Sequence, residues 1–392
     1  MAEHAVEVEA LAKILEYWRG GESVGVATVV ATRGSAPRQA GAAMVVAPDG
    51  RVTGSVSGGC VEAAVYDEAM GVISGGAPVL ARYGFAADEF AIGLTCGGEL
   101  EVFIERIDRA GFPNLDVVQA AVRAGEPVAV ATVVDHPQVQ HRGRRLVVAL
   151  GADSAVADAG LGSDQLDISV REDARALLAA GQSAKLTYGT GGEPDSEEVG
   201  VFVRTYVPPP RLILFGAVDF AAALSDAGSL LGYRVTVCDA RSVFATPERF
   251  RTAGEVVIEW PHRYLAAEID AGRIDERTVI VVLTHDPKFD VPVLKVALAA
   301  ELAFVGAMGS RTTHDDRVAR LRNAGVGDDA LDRLHSPIGL DLRATTPPET
   351  AVSILAEVIA ERRGGTGRPL RDGHGSIHET SQAVVGAVGC PE

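Results

Sequence analysis

At 392 residues the chain is long enough for two or three domains, each with its own core, and 47% apolar residues with 44 glycines and few aromatics fit an Ala/Val/Gly-rich α/β protein. A formal charge of −17 repels a phosphate backbone and argues against general nucleic-acid or anionic-membrane binding. No apolar run is long enough to span a bilayer and the start carries acids where a signal peptide is basic, so the expected location is cytoplasmic. Cys60, Cys96, Cys238 and Cys390 stand at wide, irregular spacing, which gives neither a disulfide framework nor a metal-binding pattern.

In chain order, Val8, Leu11, Ile14, Leu15 and Trp18 fall at helical spacing and predict an amphipathic helix closed by Gly20-Gly21. The β-branched run Val24 to Ala31 predicts a buried strand, followed by a turn carrying Arg33 and Arg38. A second strand, Ala42 to Ala47, turns at Pro48-Asp49-Gly50 into a hairpin. The glycine and serine loop Gly54-Ser55-Val56-Ser57-Gly58-Gly59-Cys60-Val61-Glu62 then runs into a helix and is expected to place the Cys60 thiol at its first turn. Unpaired N–H groups and a partial positive charge at such a position stabilise a thiolate or a bound anion. Further on, Thr95-Cys96-Gly97-Gly98-Glu99 repeats the combination of cysteine, two glycines and a glutamate before a strand-like run from Leu100.

An internal repeat provides a control for these loops. Gly21 to Val30 recurs as Gly125 to Val134, Met44-Val45-Val46-Ala47 as Leu146-Val147-Val148-Ala149, and Val102-Phe103-Ile104 as Val201-Phe202-Val203. Ser57-Gly58-Gly59-Cys60 becomes Gly162-Ser163-Asp164-Gln165, and the Cys96 loop becomes the polar run from Thr190. The duplicated frame therefore does not need the cysteines, which points to a functional role for Ser57, Gly58, Gly59, Cys60 and Glu62, and for Cys96, Gly97, Gly98 and Glu99.

Val207-Pro208-Pro209-Pro210 reads as a stiff linker. The expected organisation is a first repeat over 1–108, a second over 109–207, a third domain over 208–363 and a mobile tail over 364–392. Strands at Leu212–Phe215, Val235–Cys238, Val256–Ile258, Val279–Leu283 and Ala303–Val305, with helices between, predict a doubly wound parallel sheet. The fold class is α/β, a duplicated mixed α+β region followed by a Rossmann-like domain. Its fingerprint turn, Gly216-Ala217-Val218-Asp219, has Val218 where the middle glycine belongs, which weakens NAD(P) binding, although Asp239 ends the second strand where ribose hydroxyls would sit. His285 follows the fourth strand. Gly306-Ala307-Met308-Gly309-Ser310-Arg311 follows the fifth and opens a helix, so Gly306, Gly309, Ser310 and Arg311 are candidates for holding an anion. Thr346-Pro347-Pro348-Glu349 is a capping-box start, and Ala351, Ile354, Leu355, Val358 and Ile359 predict the buried face of the last helix.

These residues together resemble the xanthine dehydrogenase accessory proteins of the XdhC/CoxI type. The resemblance rests on Gly54 to Glu62, Cys96 to Glu101, Phe304 to Arg311 and Ser336 to Asp341, four separated motifs in order. It implies a chaperone that binds molybdenum cofactor, holds it while a cysteine desulfurase replaces an oxo ligand with sulfur, and passes it to an apo molybdenum hydroxylase. On this reading Cys60 and Cys96 lie near the metal or the transferred sulfur, the Gly306–Arg311 loop lies near the pterin phosphate, and no residue is a catalyst. The family's Rossmann domain usually begins Gly-Ala-Gly-His, from which Val218 and Asp219 depart. Two other readings stay open, an NAD(P)-dependent oxidoreductase using Gly216, Asp239 and His285, and an acidic scaffold that docks partner proteins. A homodimer is allowed but not required by the sequence.

Overall fold

The first helix, α1 (Ala2–Gly20), buries Leu11, Ile14 and Leu15 at the expected spacing and ends at Gly20, after which Gly21 adopts a φ of 77°. This is seen in a computed structural model that describes residues 2–34, 38–84, 98–149, 160–194 and 196–372. The described chain divides into two units, Ala2–Pro208 and the residues from Pro209 onward.

In the first unit, β1 (Val24–Arg33), β2 (Ala43–Val46), β3 (Val52–Gly54), β4 (Val79–Tyr83) and β5 (Glu99–Ile107) form an antiparallel sheet in the order β3-β2-β1-β5-β4. The helix α2 (Glu62–Ile73) buries Val65, Ala69 and Val72 against one face, where they meet Ala27, Val29, Val102 and Ile104. The other face, through Val24, Val26 and Val45, packs on α1. Alternation along β1 thus sends successive side chains to two apolar layers, which is why the strand reads as a continuous β-branched run.

After α3 (Leu115–Ala124) the arrangement repeats. Strands β6 (Val128–Asp135), β7 (Arg145–Ala149), β8 (Ala184–Tyr188) and β9 (Val199–Tyr206) form an antiparallel sheet in the order β7-β6-β9-β8, with α4 (Asp164–Ala180) across one face. Even the irregularities correspond. Register shifts between Val29 and Ala31 in the β1–β5 pairing, and between Val133 and Asp135 in the β6–β9 pairing. The extra residues, Val30 and Val134, pack with Phe103 and Phe202 in one small core cluster. Bulges bend a strand and strengthen its twist, so the shared position fixes the same curvature in both sheets.

The second unit is a doubly wound sheet. Its elements are β10 (Arg211–Phe215), α5 (Asp219–Leu230), β11 (Arg234–Cys238), β12 (Glu255–Val257), α6 (Pro261–Asp270), β13 (Val279–Val282), α7 (Pro287–Leu298), β14 (Phe304–Ala307), α8 (Arg311–Asn323), α9 (Asp328–Leu331), β15 (Leu334–His335) and α10 (Pro347–Arg363). The strands run parallel in the order β12-β11-β10-β13-β14-β15, so the direction of winding reverses between β10 and β13. One face is covered by α5 and α10, the other by α6, α7 and α8.

Two details differ from the sequence reading. A sixth strand, β15, joins the edge of the sheet; at two residues it is too short to show a periodic pattern. On α10 the capping box forms as expected and Ala351, Ile354, Leu355 and Val358 are buried, but Ile359 is 45% exposed. The stripe repeats at 3.6 residues, and Ile359 falls beyond its edge. The tail residues 373–392, with Ile377 and His378, lie outside the described residues.

Candidate functional site

The loop between β3 and α2 is anchored at both ends by apolar side chains, Val56 and Val61, which are buried in the core beneath α2. It leaves β3 at Gly54, whose φ of 83° and closeness to the Ala43 carbonyl exclude any side chain. Between the anchors the chain folds around one carboxylate. Glu62 accepts hydrogen bonds from the amides of Ser57 at 2.9 Å, Gly58 at 2.8 Å and Gly59 at 2.8 Å, from the Ser55 hydroxyl at 2.7 Å, and from the Ser57 hydroxyl. Ser57, only 2% exposed, also accepts from the amides of Cys60 at 3.0 Å and Val61 at 3.1 Å. Burial pushes the Glu62 carboxyl up, but the Ser57 and Ser55 hydroxyls and the Ser57 amide outweigh it and bring its pKa down to about 2.

This network corrects the expected position of Cys60. Helix α2 begins at Glu62 with Val61 as its cap residue, so Cys60 stands before the helix rather than in its first turn. The amides of residues 57–59 are satisfied by a side chain in place of a helical ladder, and they stay in a turn. Cys60 is half-buried at the margin of the core beneath α2. Next to it, side chains added at Gly58 or Gly59 would meet nothing within 4 Å among the described residues, which leave the outer face of the loop open.

Strand register gathers the other N-terminal candidates. Arg33 pairs with Glu99, Tyr83 with Leu100, and Met44 with Gly54, so the ends of β1, β4 and β3 and the starts of β2 and β5 all lie at one edge of the sheet. The Cys60 loop, Arg33 and Glu99 share that edge, with the Arg33 Nε 3.8 Å from a Glu99 oxygen. Cys96 and Gly97 lie outside the described residues; the flanking Gly84 and Gly98 stand together at the same edge, in contact.

In the second copy the same frame has an ordinary helix start. Leu161, Leu166, Val170, Ala174 and Leu177 are buried in positions matching Val56, Val61, Val65, Ala69 and Val72, and Asp167 takes the place of Glu62. Among the described residues Asp167 accepts one loop amide, that of Leu161 at 2.7 Å, and α4 begins at Asp164, capped by the Ser163 hydroxyl. Among the described residues the nest of amides belongs to the first copy.

In the second unit the residues expected at a dinucleotide position are engaged by the protein's own groups. Asp239, 2% exposed, accepts the Ala217 amide of the fingerprint turn at 2.8 Å and the Arg241 guanidinium at 2.7 and 2.9 Å. Its carboxyl, raised by burial, is drawn below its ordinary range by Arg241 and the Ala217 amide. Asp219 pairs with Arg249 at 3.1 Å, and Gly216 is packed against Thr284, leaving 2.8 Å between an added side chain and the threonine methyl. A cleft of about 310 Å³ opens between α7 and α8. His285 and Asp290 line its α7 side; Ser310, Thr313, Arg317 and Arg320 line its α8 side.

Two family descriptions match this chain. The XdhC Rossmann domain matches residues 212–358, and the XdhC and CoxI family matches 17–84 and 121–189, one segment in each copy of the repeat. The chain belongs to the XdhC and CoxI family. It is 27% identical over 346 residues to a probable xanthine dehydrogenase subunit of Bacillus subtilis, covering 87% of this chain and 94% of that protein. It is also 27% identical to the molybdenum cofactor insertion chaperone PaoD of Escherichia coli, covering 89% and 86% respectively. A solved structure described as a xanthine dehydrogenase, from Bacillus halodurans, superposes with a TM-score of 0.65 over 91% of this chain and 96% of its own at 24% identity, a likeness of fold.

In this XdhC and CoxI family chain the candidates named from sequence divide into three groups. Ser57, Gly58, Gly59, Cys60 and Glu62 form one loop, with Glu99 at the same sheet edge. His285 and Ser310 line the cleft, whereas Gly216, Asp239 and Arg311 do not. Gly306 is committed to packing, since a side chain there would strike Ile338, and Gly309 faces Thr313. Asp290, Thr313 and Arg320 were not singled out by sequence; the signal for them is polar residues on the facing sides of α7 and α8, visible only once the two helices are seen to share a cleft.

Proposed function

We propose that this protein binds molybdenum cofactor and inserts it into an apo molybdenum hydroxylase of the xanthine dehydrogenase type, with the Cys60 loop at the binding site. The observation that carries this reading is the difference between the two copies: one keeps a thiol beside an open, glycine-lined loop nested on Glu62, and the other has a plain capped helix at the same place. The names of the B. subtilis and E. coli relatives support the same role.

The residues fit such a cargo. A half-buried thiol can supply a thiolate ligand to a metal centre, and the face that the described residues leave bare at Gly58 and Gly59 lets a bulky group approach the backbone. The loop's amides are already engaged by Glu62, so the cofactor meets the thiol and the open face rather than an empty anion nest. Held at this loop, the cofactor would stay accessible to a cysteine desulfurase for sulfuration before the loaded protein docks on the hydroxylase. The commitment of Asp239 to Arg241 and Ala217 speaks against the oxidoreductase reading.

The test is equilibrium binding of molybdenum cofactor to wild type and Cys60→Ala, read by reconstitution of a cofactor-free hydroxylase. Retention by wild type and its loss in the variant is the expected result. Equal retention by both proteins, or none by either, would overturn this reading.

A further inference from the structure

On α8, Thr313, Asp316, Arg317 and Arg320 recur at the spacing of a single helical face. That face lines the cleft opposite Asp290 and Val291 of α7. Helices packed side by side on a sheet normally fill such a seam with interdigitating apolar side chains at close-packed density. Farther from the cleft this seam does so, through Val293, Leu294 and Leu321. At the N-terminal ends it is polar and leaves about 310 Å³ open.

The floor of the hollow is Arg317, 3% exposed. Its Nη2 donates to the Met308 carbonyl at 2.8 Å and to Asp290 at 3.2 Å, and its Nη1 donates to the Ser336 hydroxyl at 2.9 Å, but its Nε is buried with no hydrogen-bond partner. Native interiors rarely leave a guanidinium N–H in that condition. At the rim the Ser310 hydroxyl caps Thr313 at 3.1 Å, while the amides of Arg311 and Thr312 have no carbonyl partner inside the helix. Hydroxyls, first-turn amides and the Arg320 guanidinium therefore face one small space, with the positive charge of Arg317 beneath it.

We propose that this cleft binds a phosphate ester of a small molecule, the phosphate seated at the start of α8 against Ser310, Thr312 and Arg320 with Arg317 beneath it. Converging donors at a helix N-terminus suit a tetrahedral polyanion. Asp316, on the same face, accepts a hydrogen bond from the organic part. The volume is at the lower end for small-molecule sites, which suits one phosphorylated molecule rather than a dinucleotide. Gly216 and Asp239 take no part. The cleft binds its ligand whether or not the Cys60 loop holds a metal cofactor.

Nucleotides and pterins both carry such a phosphate, and titration calorimetry with three probes distinguishes them: inorganic phosphate, adenosine monophosphate and molybdopterin. The proteins are wild type, Arg320→Ala, Thr312→Val and Cys60→Ala; Arg320 and Thr312 are solvent-accessible, and unchanged thermal melting confirms that the variants fold. Inorganic phosphate is expected to saturate wild type and Cys60→Ala alike and to bind the two cleft variants on the order of tenfold more weakly. A tighter second probe, nucleotide or pterin, that is likewise weakened in both cleft variants supports the site and names the organic part. Absence of phosphate binding, phosphate binding unchanged in both cleft variants, or phosphate binding lost in Cys60→Ala would overturn it.

Discussion

The carboxylate of Glu62 lies 2.9 Å from the Ser57 amide and also receives the Ser57 hydroxyl, so the residue that opens α2 holds the loop that precedes it. Replacing Glu62 by Gln puts an amide NH₂ among donors that expect an acceptor. Glu62→Gln should lose about 1–3 kcal/mol of stability, the range for hydrogen bonds to a charged acceptor, as measured by urea unfolding. Cys60 should at the same time react faster with a maleimide.

The same pair sets a pH dependence. The folded-state pKa of Glu62 lies at about 2, below its unfolded value of 4.5, so its contribution is fully present above pH 4.5 and is lost as pH falls toward 2. Other carboxylates, Asp239 among them, are shifted in the same direction. The difference in stability between wild type and Glu62→Gln isolates this one, and it should shrink across that acid window. A difference that stays constant down to pH 2 would contradict the assignment.

Cys238 should behave as an inert thiol. It is buried in β11, and burial, with Asp239 next to it, pushes its pKa up to about 12. Alkylation with iodoacetamide at pH 7.5, followed by peptide mass mapping, should leave Cys238 unmodified in the native protein and modify it only after denaturation.

Beneath the cleft, Arg317 and Asp290 form a buried pair 3.2 Å apart, with Thr284 donating to the same carboxylate. Removing one partner leaves the other buried and uncompensated, which costs about 3–5 kcal/mol. Arg317→Met should therefore be strongly destabilised in chemical denaturation, and Asp290→Asn combined with Arg317→Met should recover part of the loss. Equal stabilities for the single and double variants would show that the two do not act as a pair.

The fingerprint turn gives a further expectation for ligands. With Asp239 held by Ala217 and Arg241, NADH titrated to about 0.5 mM, an ordinary cofactor range, should leave its fluorescence unchanged.

The sequence by itself determined the architecture, because strands, helices and caps are written in local periodicity. The β-branched run of β1 and its echo in β6, the alternation from β10 to β14, and the Thr346 to Glu349 capping box all depend on residues close in the chain. The repeat also exposed the Cys60 loop as something the frame does not require. Tertiary structure alone decided what each polar group does. Glu62 turned inward to occupy the amides that would otherwise face an anion, and Asp239 bound its own fingerprint turn. The open cleft formed where Asp290 on α7 meets Arg317 and Arg320 on α8. Such assignments depend on which donors and acceptors converge in space, and groups separated by tens of residues leave no periodic trace of that convergence in the chain.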